Sequence, residues 1–453
     1  MQASPRWSSG VTFYLVTVGA AVGLGSIWRF PYLAGANGGS AFVLVFAIAC
    51  LVIATPLLVA EFLIGRRAGC SPPEAAGKVA ASVGGSRNWN VIGVLGSIAA
   101  FLIISYYTVI AGWVAAYAAK AAGAVLVGRS RDEVATLWKG FLSNPWEVGA
   151  WHAAFLALVG GIAALGVNRG IEIANRIRAP GLLGLMLILV AYALTTGDVA
   201  RGLSFAFKPN FSAITPAVVL AAIGQAFYAT GVGMAMMLAY GAYLTRGTSL
   251  IRSSLIVSGS ILVVSLLSTL IVFPLVFRYE MNPAQGVDLV FDVLASVFAE
   301  MPAGRLVGTL FYVMLIFAAL TPSLAGIEPL VAWLEQRRNL SRRVAVLVAV
   351  LAIWVVGLSS VLSFNVAAGW RPLGWLPGFA NMSFFDAADY LASNLLLPIG
   401  ALITSVFVGW RLDRAIVLAE LSESKPLAIA CVIWCLRYFC PIALIVVLIA
   451  NAK

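Results

Sequence analysis

Apolar stretches long enough to cross a lipid bilayer recur from one end of this chain to the other, and no other feature limits its fold so severely. A spanning helix needs about 20 mostly apolar residues. Runs of that kind lie near 10–34, 40–66, 91–124, 151–168, 172–196, 213–243, 252–278, 306–335, 342–363, 388–411 and 426–450. Inside lipid every backbone polar group needs an internal partner, which a single segment achieves only as a helix. The expected fold class is therefore an all-α membrane protein of eleven transmembrane helices. With 62% hydrophobic and only 10% charged residues, the chain lacks the polar surface a soluble core would need.

A formal net charge of +11 raises the question of a nucleic-acid partner. The basic residues sit instead in short segments between apolar runs, as orientation signals do. With the N-terminus inside, seventeen Lys and Arg fall on the inner side and nine on the outer, with Arg29, Lys120 and Arg437 left within spans. The inner set includes Arg169, Arg176 and Arg178, assigned to the segment leading into the fifth run. N-terminus cytoplasmic and C-terminus outside is the expected orientation, with lipid as the surrounding partner and no nucleic acid. Met1 to Arg6 are too short and polar for a cleavable leader, and the first run is of full spanning length. Cys431 and Cys435 share a helix face, which suits either a metal or plain packing, but no His or acid stands near them. His152 has no catalytic company. No nucleophile, base and orienting group converge, so an enzyme is not expected.

Two runs carry interruptions near their middles: Gly23-Leu24-Gly25 in the first, and Thr230-Gly231-Val232-Gly233 in the sixth. Each glycine costs about 1 kcal/mol relative to alanine in a helix. Small residues that let helices pack closely are one explanation. The other is that both helices unwind, which lipid tolerates only where the backbone lines a cavity or is buried in protein. The first and sixth runs open two consecutive five-run sets, 1–196 and 213–411, with 426–450 left over. Because five is odd, the second set starts from the opposite side, the arrangement of an inverted-repeat transporter. N–H groups freed at Leu24 to Ser26 suit an anion such as a carboxylate.

These residues resemble the neurotransmitter:sodium symporter family, with its LeuT-like fold of two inverted five-helix repeats. The matching stretches are Ala21-Val-Gly-Leu-Gly-Ser-Ile-Trp-Arg-Phe-Pro-Tyr32, Asn37-Gly-Gly-Ser-Ala-Phe42, Gly224-Gln-Ala-Phe-Tyr228 and Phe385-Asp-Ala-Ala-Asp-Tyr-Leu391. An eleven-span chain fits the bacterial members, which implies the inner (cell) membrane of a bacterium. The resemblance implies an outer gate of Arg29 and Asp389, and an aromatic lid of Tyr107 and Tyr228, though each tyrosine could equally be ordinary packing. It implies pocket walls of Ala20, Ala21, Ile103, Gly231, Met234 and Gly326, with Leu24 and Gly25 at the break. Ala20 stands where monoamine carriers of the family have Asp, which favours a small zwitterion over an amine lacking an acid group.

For ions, the resemblance implies one sodium site made by carbonyls of Gly19, Val22 and Ala318 and the Thr321 hydroxyl. The family places a side-chain ligand where Pro322 stands. Proline removes the N–H that would bond the Ala318 carbonyl, so Pro322 either frees that oxygen for the ion or simply kinks the eighth helix. A second family sodium site falls on Ser26, Ala229 and Ile261, of which only Ser26 keeps a side-chain oxygen, and it is expected to be lost. The chloride-related positions Phe46, Gln225, Ala229, Ile261 and Ser265 are similarly thinned, so no chloride is expected. Glu61 matches an acid that braces the sixth-helix break. Glu328 could carry a proton, and either acid could serve only as a structural hydrogen-bonding group. The family's inner gate falls on Ser4, near Arg6, and on Gln336, so inner closure is expected to use other contacts, involving Trp7 and Tyr243. Gly170 and Pro180 resemble a pattern for unwinding the inner part of the fifth helix.

The expected function is symport of a small amino acid or similar zwitterion by alternating access, coupled to a single sodium ion. Proton-coupled or sodium-independent transport on the same fold is an alternative. A transport-inactive solute sensor is another. The particular solute and any oligomer are not specified.

Overall fold

The computed structural model describes residues 7–8, 10–244, 247–286 and 288–451. Among these there are helices and no strands. Among the described residues, nine helices are long and apolar enough to cross a membrane. They are α2 (Ser40–Ala68), α3 (Arg87–Ala122), α4 (Pro145–Ala164), α5 (Val167–Thr196), α7 (Leu250–Arg278), α8 (Gly304–Arg338), α9 (Arg342–Leu362), α10 (Phe384–Arg411) and α11 (Pro426–Asn451). Two further elements are broken. In α1, the helix Gly10–Ala21 is followed by Gly25–Ala36, and the segments Thr12–Ala21 and Gly25–Ala36 meet at a bend of 52°. In α6, Pro216–Thr230 is followed by an unwound stretch and then Met236–Gly241. This count is compatible with eleven spans.

The expected runs coincide with these helices, but hydropathy missed several short helices between them. Pro72–Ala81 and Arg131–Ser143 are two, each opened by the chemistry expected of a helix start. Ser130 and Glu133 form a reciprocal capping box at the second. The segments Leu289–Val293 and Leu294–Glu300 are buried almost throughout, leading from α7 into α8.

The central helix is α3, which packs along α8 and against α4 and α9. Its residues from Ile103 to Val114 are buried without a break, as expected for a helix apolar on every side. Several buried hydroxyls return to their own helices: Thr17 donates to the Phe13 carbonyl at 2.8 Å and Thr108 to that of Ile104 at 2.7 Å. Such back-bonding satisfies a polar group where water is absent.

Candidate functional site

The two breaks are built differently. In α1 the chain leaves the α-helix at Val22 and Gly23 and resumes through a wide π-turn over Gly25–Arg29. Pro31 has no N–H for the Ile27 carbonyl; the Ser268 hydroxyl of α7 donates to that oxygen instead. Gln225 of α6 donates to the Gly25 carbonyl at 2.7 Å. The Leu24 N–H, one of the donors released by the break, points to the Tyr107 hydroxyl at 3.2 Å.

In α6 the helix ends on Gly231 at φ 66° and passes Gly233 at φ 87°. A side chain at Gly233 would also drive into the Leu397 backbone, 2.6 Å from its carbonyl. Ala235 follows at φ 56° and caps the second half, a conformation that costs an L-residue about 1–2 kcal/mol. The unwound stretch is pinned by Glu61, whose Oε1 accepts the Gly233 N–H at 2.7 Å. This is the brace expected of that acid.

Both breaks open on one cavity of about 30 Å³ lined by Ala20, Ala21, Gly23, Gly25, Ile103, Ile104, Tyr107, Tyr228, Ala229, Gly231, Met234, Met236 and Pro322. Eight expected residues meet there: Ala20, Ala21, Gly25, Ile103, Tyr107, Tyr228, Gly231 and Met234. Leu24 contributes its backbone N–H, while its side chain is buried in the core. Gly326 is not on the lining; it packs against Ile104, which is. Ile104, Met236 and Pro322 are additional walls. Pro322 lies next to Gly23, where an added side chain would come within 2.7 Å of the proline ring.

Arg29 lies over the Tyr228 ring, its Cζ 4.1 Å from the centroid. Asp389 instead accepts hydrogen bonds from Tyr106 at 2.7 Å and Ser393 at 3.0 Å. The charges of Arg29 and Asp389 interact, but the aromatic ring is the close partner of the arginine. A second cavity of about 150 Å³ reaches Arg29, Gln225, Ser393 and Asn394.

Trp7 and Tyr243, anticipated as closing contacts, meet in one cluster. Trp7 Nε1 donates to the Tyr240 carbonyl at 3.2 Å, and its ring packs edge-on against Tyr240 and Tyr243. Tyr243 donates to Glu328 at 2.8 Å, and Arg342 grips Glu328 at 2.7 and 2.9 Å and reaches Glu335 at 3.2 Å. Glu328 is thus a fully buried partner in an ion pair. Gln336 accepts from the Ser71 backbone N–H at 2.7 Å; Ser4 and Arg6 lie outside the described residues. The N-terminal end of α5 is not unwound in this structure: Val167–Glu172 is wound as a π-helix, with Gly170 packed against the Ile162 carbonyl.

At the expected sodium site, α1 and α8 meet where Gly19 faces the Thr321 methyl. The Thr321 hydroxyl is buried with no hydrogen-bond partner. Arg178 also stands there, against expectation. Arg178, assigned to an inner segment, lies within α5 and is 3% exposed. Its Nη1 donates to the Phe317 carbonyl of α8 at 3.1 Å, and Nη2 and Asn175 Oδ1 press against Gly19. The helical spacing of Asn175, Arg178, Leu182 and Met186, all buried, was the signal that could have turned Arg178 inward.

A model of the Sodium:neurotransmitter symporter family matches residues 4–130 and 134–453. The chain is 34% identical over 449 residues to the uncharacterized sodium-dependent transporter YhdH of Bacillus subtilis, covering 98% of this chain and 97% of that protein. An uncharacterized sodium-dependent transporter of Haemophilus influenzae is 31% identical over 455 residues, covering 98% and 97% respectively. The crystal structure of MhsT in complex with L-phenylalanine matches with a TM-score of 0.89 at 35% identity, over 99% of this chain and 100% of that one. With its broken helices and this whole-length similarity, the chain belongs to the sodium:neurotransmitter symporter family and has its LeuT-like fold.

Proposed function

We propose that the chain carries a small amino acid or similar zwitterion across the cell membrane by alternating access, coupled to one sodium ion. The observation that carries this reading is that two helices from opposite halves of the chain break against the same small cavity. The substrate carboxylate is received by the N–H groups at Leu24 and Gly25 and by the Tyr107 hydroxyl, since a half-helix N-terminus favours an anion. The walls from Ile103, Ile104, Met234 and Met236 take an apolar side chain. Arg29, Tyr228 and Asp389 close the path outward, and the Trp7, Tyr243 and Glu328 cluster closes it inward.

Sodium is received by carbonyls of Gly19, Val22 and Ala318 and by the Thr321 hydroxyl. Support comes from the unpartnered Thr321 oxygen and from Pro322, which has no N–H for Ala318. The sodium-dependent relatives lend the same support, and MhsT, solved with L-phenylalanine, favours an amino-acid cargo. The Arg342 contacts of Glu328 weigh against that acid as a proton carrier.

The test is uptake of labelled amino acids by the purified chain in proteoliposomes under separate sodium and proton gradients. Accumulation driven by sodium alone is expected; accumulation driven only by protons, or by neither gradient, overturns the coupling.

A further inference from the structure

Arg178 is a cation buried without an acid. Among the ion pairs of the described residues it has no carboxylate partner. A charge inside a membrane protein is costly unless oxygens face it. Here the Phe317 carbonyl takes Nη1 at 3.1 Å, Asn175 Oδ1 lies 3.5 Å from Nη2, and Nε has no partner. The guanidinium therefore has only one good hydrogen bond for its five N–H donors.

Its position is more telling than its partners. A side chain at Gly19 would collide with both Arg178 Nη2 and Asn175 Oδ1, and would touch the Thr321 methyl at 3.0 Å. The guanidinium thus sits at the junction of α1 and α8, one residue along from Ala318 on α8. Gly19, Ala318 and Thr321 are the oxygen donors assigned above to sodium. An oxygen-lined place that suits one cation suits another, but two like charges a few ångströms apart in a poorly polarisable interior repel strongly.

We propose that the Arg178 guanidinium and a sodium ion compete for one cation site between α1, α5 and α8, so that an ion enters only when the guanidinium leaves. The inference rests on the assignment of Gly19, Val22, Ala318 and Thr321 to sodium. Arg178 is then a specificity-determining residue: a tethered cation, bonded to the neighbouring Phe317 carbonyl and close to Gly19, whose charge beside these oxygens raises the sodium concentration needed to displace it. The flexible stem of arginine lets the head withdraw without requiring α5 to move.

The experiment titrates the purified full chain with sodium chloride, choline holding ionic strength constant, and follows its melting temperature, since an ion that binds only the folded state raises it. For Arg178→Met the half-saturating sodium concentration is expected to fall by about tenfold or more, a modest share of what removing a buried like charge releases. Should wild type show no sodium response, Arg178→Met is expected to gain one. Arg178→Gln carries the same expectation if the methionine variant fails to purify as a monodisperse species. Arg178→Lys keeps the charge and stays within about threefold of wild type, provided that charge is what excludes the ion. Neutral variants that titrate like wild type or lose the response overturn the proposal, as does a lysine variant that shifts as far as they do. Sodium-independent uptake by wild type would overturn the coupling proposed above, while a sodium response gained by Arg178→Met would still uphold the competition.

Discussion

Glu61 on α2 and Gly233 on α6 are 172 residues apart in the chain and joined by a 2.7 Å hydrogen bond from the Gly233 N–H to the carboxyl group. The unwound part of α6 loses helical partners for its backbone, and this side chain supplies one. The other carboxyl oxygen is buried without a partner, so the brace rests on a single bond.

Glu61→Ala is expected to destabilise the fold by about 1–3 kcal/mol, the usual effect of leaving a buried donor unsatisfied. Glu61→Gln retains a carbonyl acceptor and should recover most of that loss. Thermal unfolding of the detergent-purified variants checks the order; equal losses in both would show that charge, not the hydrogen bond, matters.

The two glycines of α6 should respond differently to the same substitution. Gly231→Ala places a methyl group at φ 66° against the movable end of Met236, at an expected cost of about 1–2 kcal/mol. Gly233→Ala adds a collision with the Leu397 backbone and should be the more damaging. Melting temperatures of the two variants measure the difference.

Much of this site was legible because it is local in sequence. Glycine pairs inside apolar runs announced both breaks. Glu61 was visible as an acid where lipid permits few. Arg178 was hidden because a basic residue near the start of an apolar run looks like a loop charge until the helix face is traced. The Arg342 and Glu328 pair was hidden for another reason: it depends on the tight turn from α8 to α9, which returns the first residue of α9 beside a carboxylate 14 positions earlier. Contacts of that kind are set by tertiary geometry and leave no periodic trace.

That pair yields a third prediction. Arg342→Ala leaves Glu328 as an unpaired buried charge, expected to cost about 3–5 kcal/mol. It should also loosen the inner closure around Tyr243. Cys70 lines a small cleft with Tyr243 and Gln336 and serves as a native reporter. Maleimide labelling at Cys70, read by mass spectrometry, should accelerate in the variant; an unchanged rate would mean that the pair does not hold the inner side shut.

Pro322 tests the ion site from the other direction. Pro322→Ala restores an N–H four residues after Ala318, the donor that would engage its carbonyl within the helix. The half-saturating sodium concentration for uptake is expected to rise. Transport with unchanged sodium dependence would remove the proline from the ion site and leave it as a wall of the cavity.

The most direct measurement is binding of amino acids and related sulfonates to purified wild type and to Ala21→Leu, with and without sodium. Leucine at position 21 fills space beside both unwound segments, so binding should disappear while the melting profile shows a folded chain. Ligand retained at wild-type affinity in the folded variant would mean that the cargo lies elsewhere.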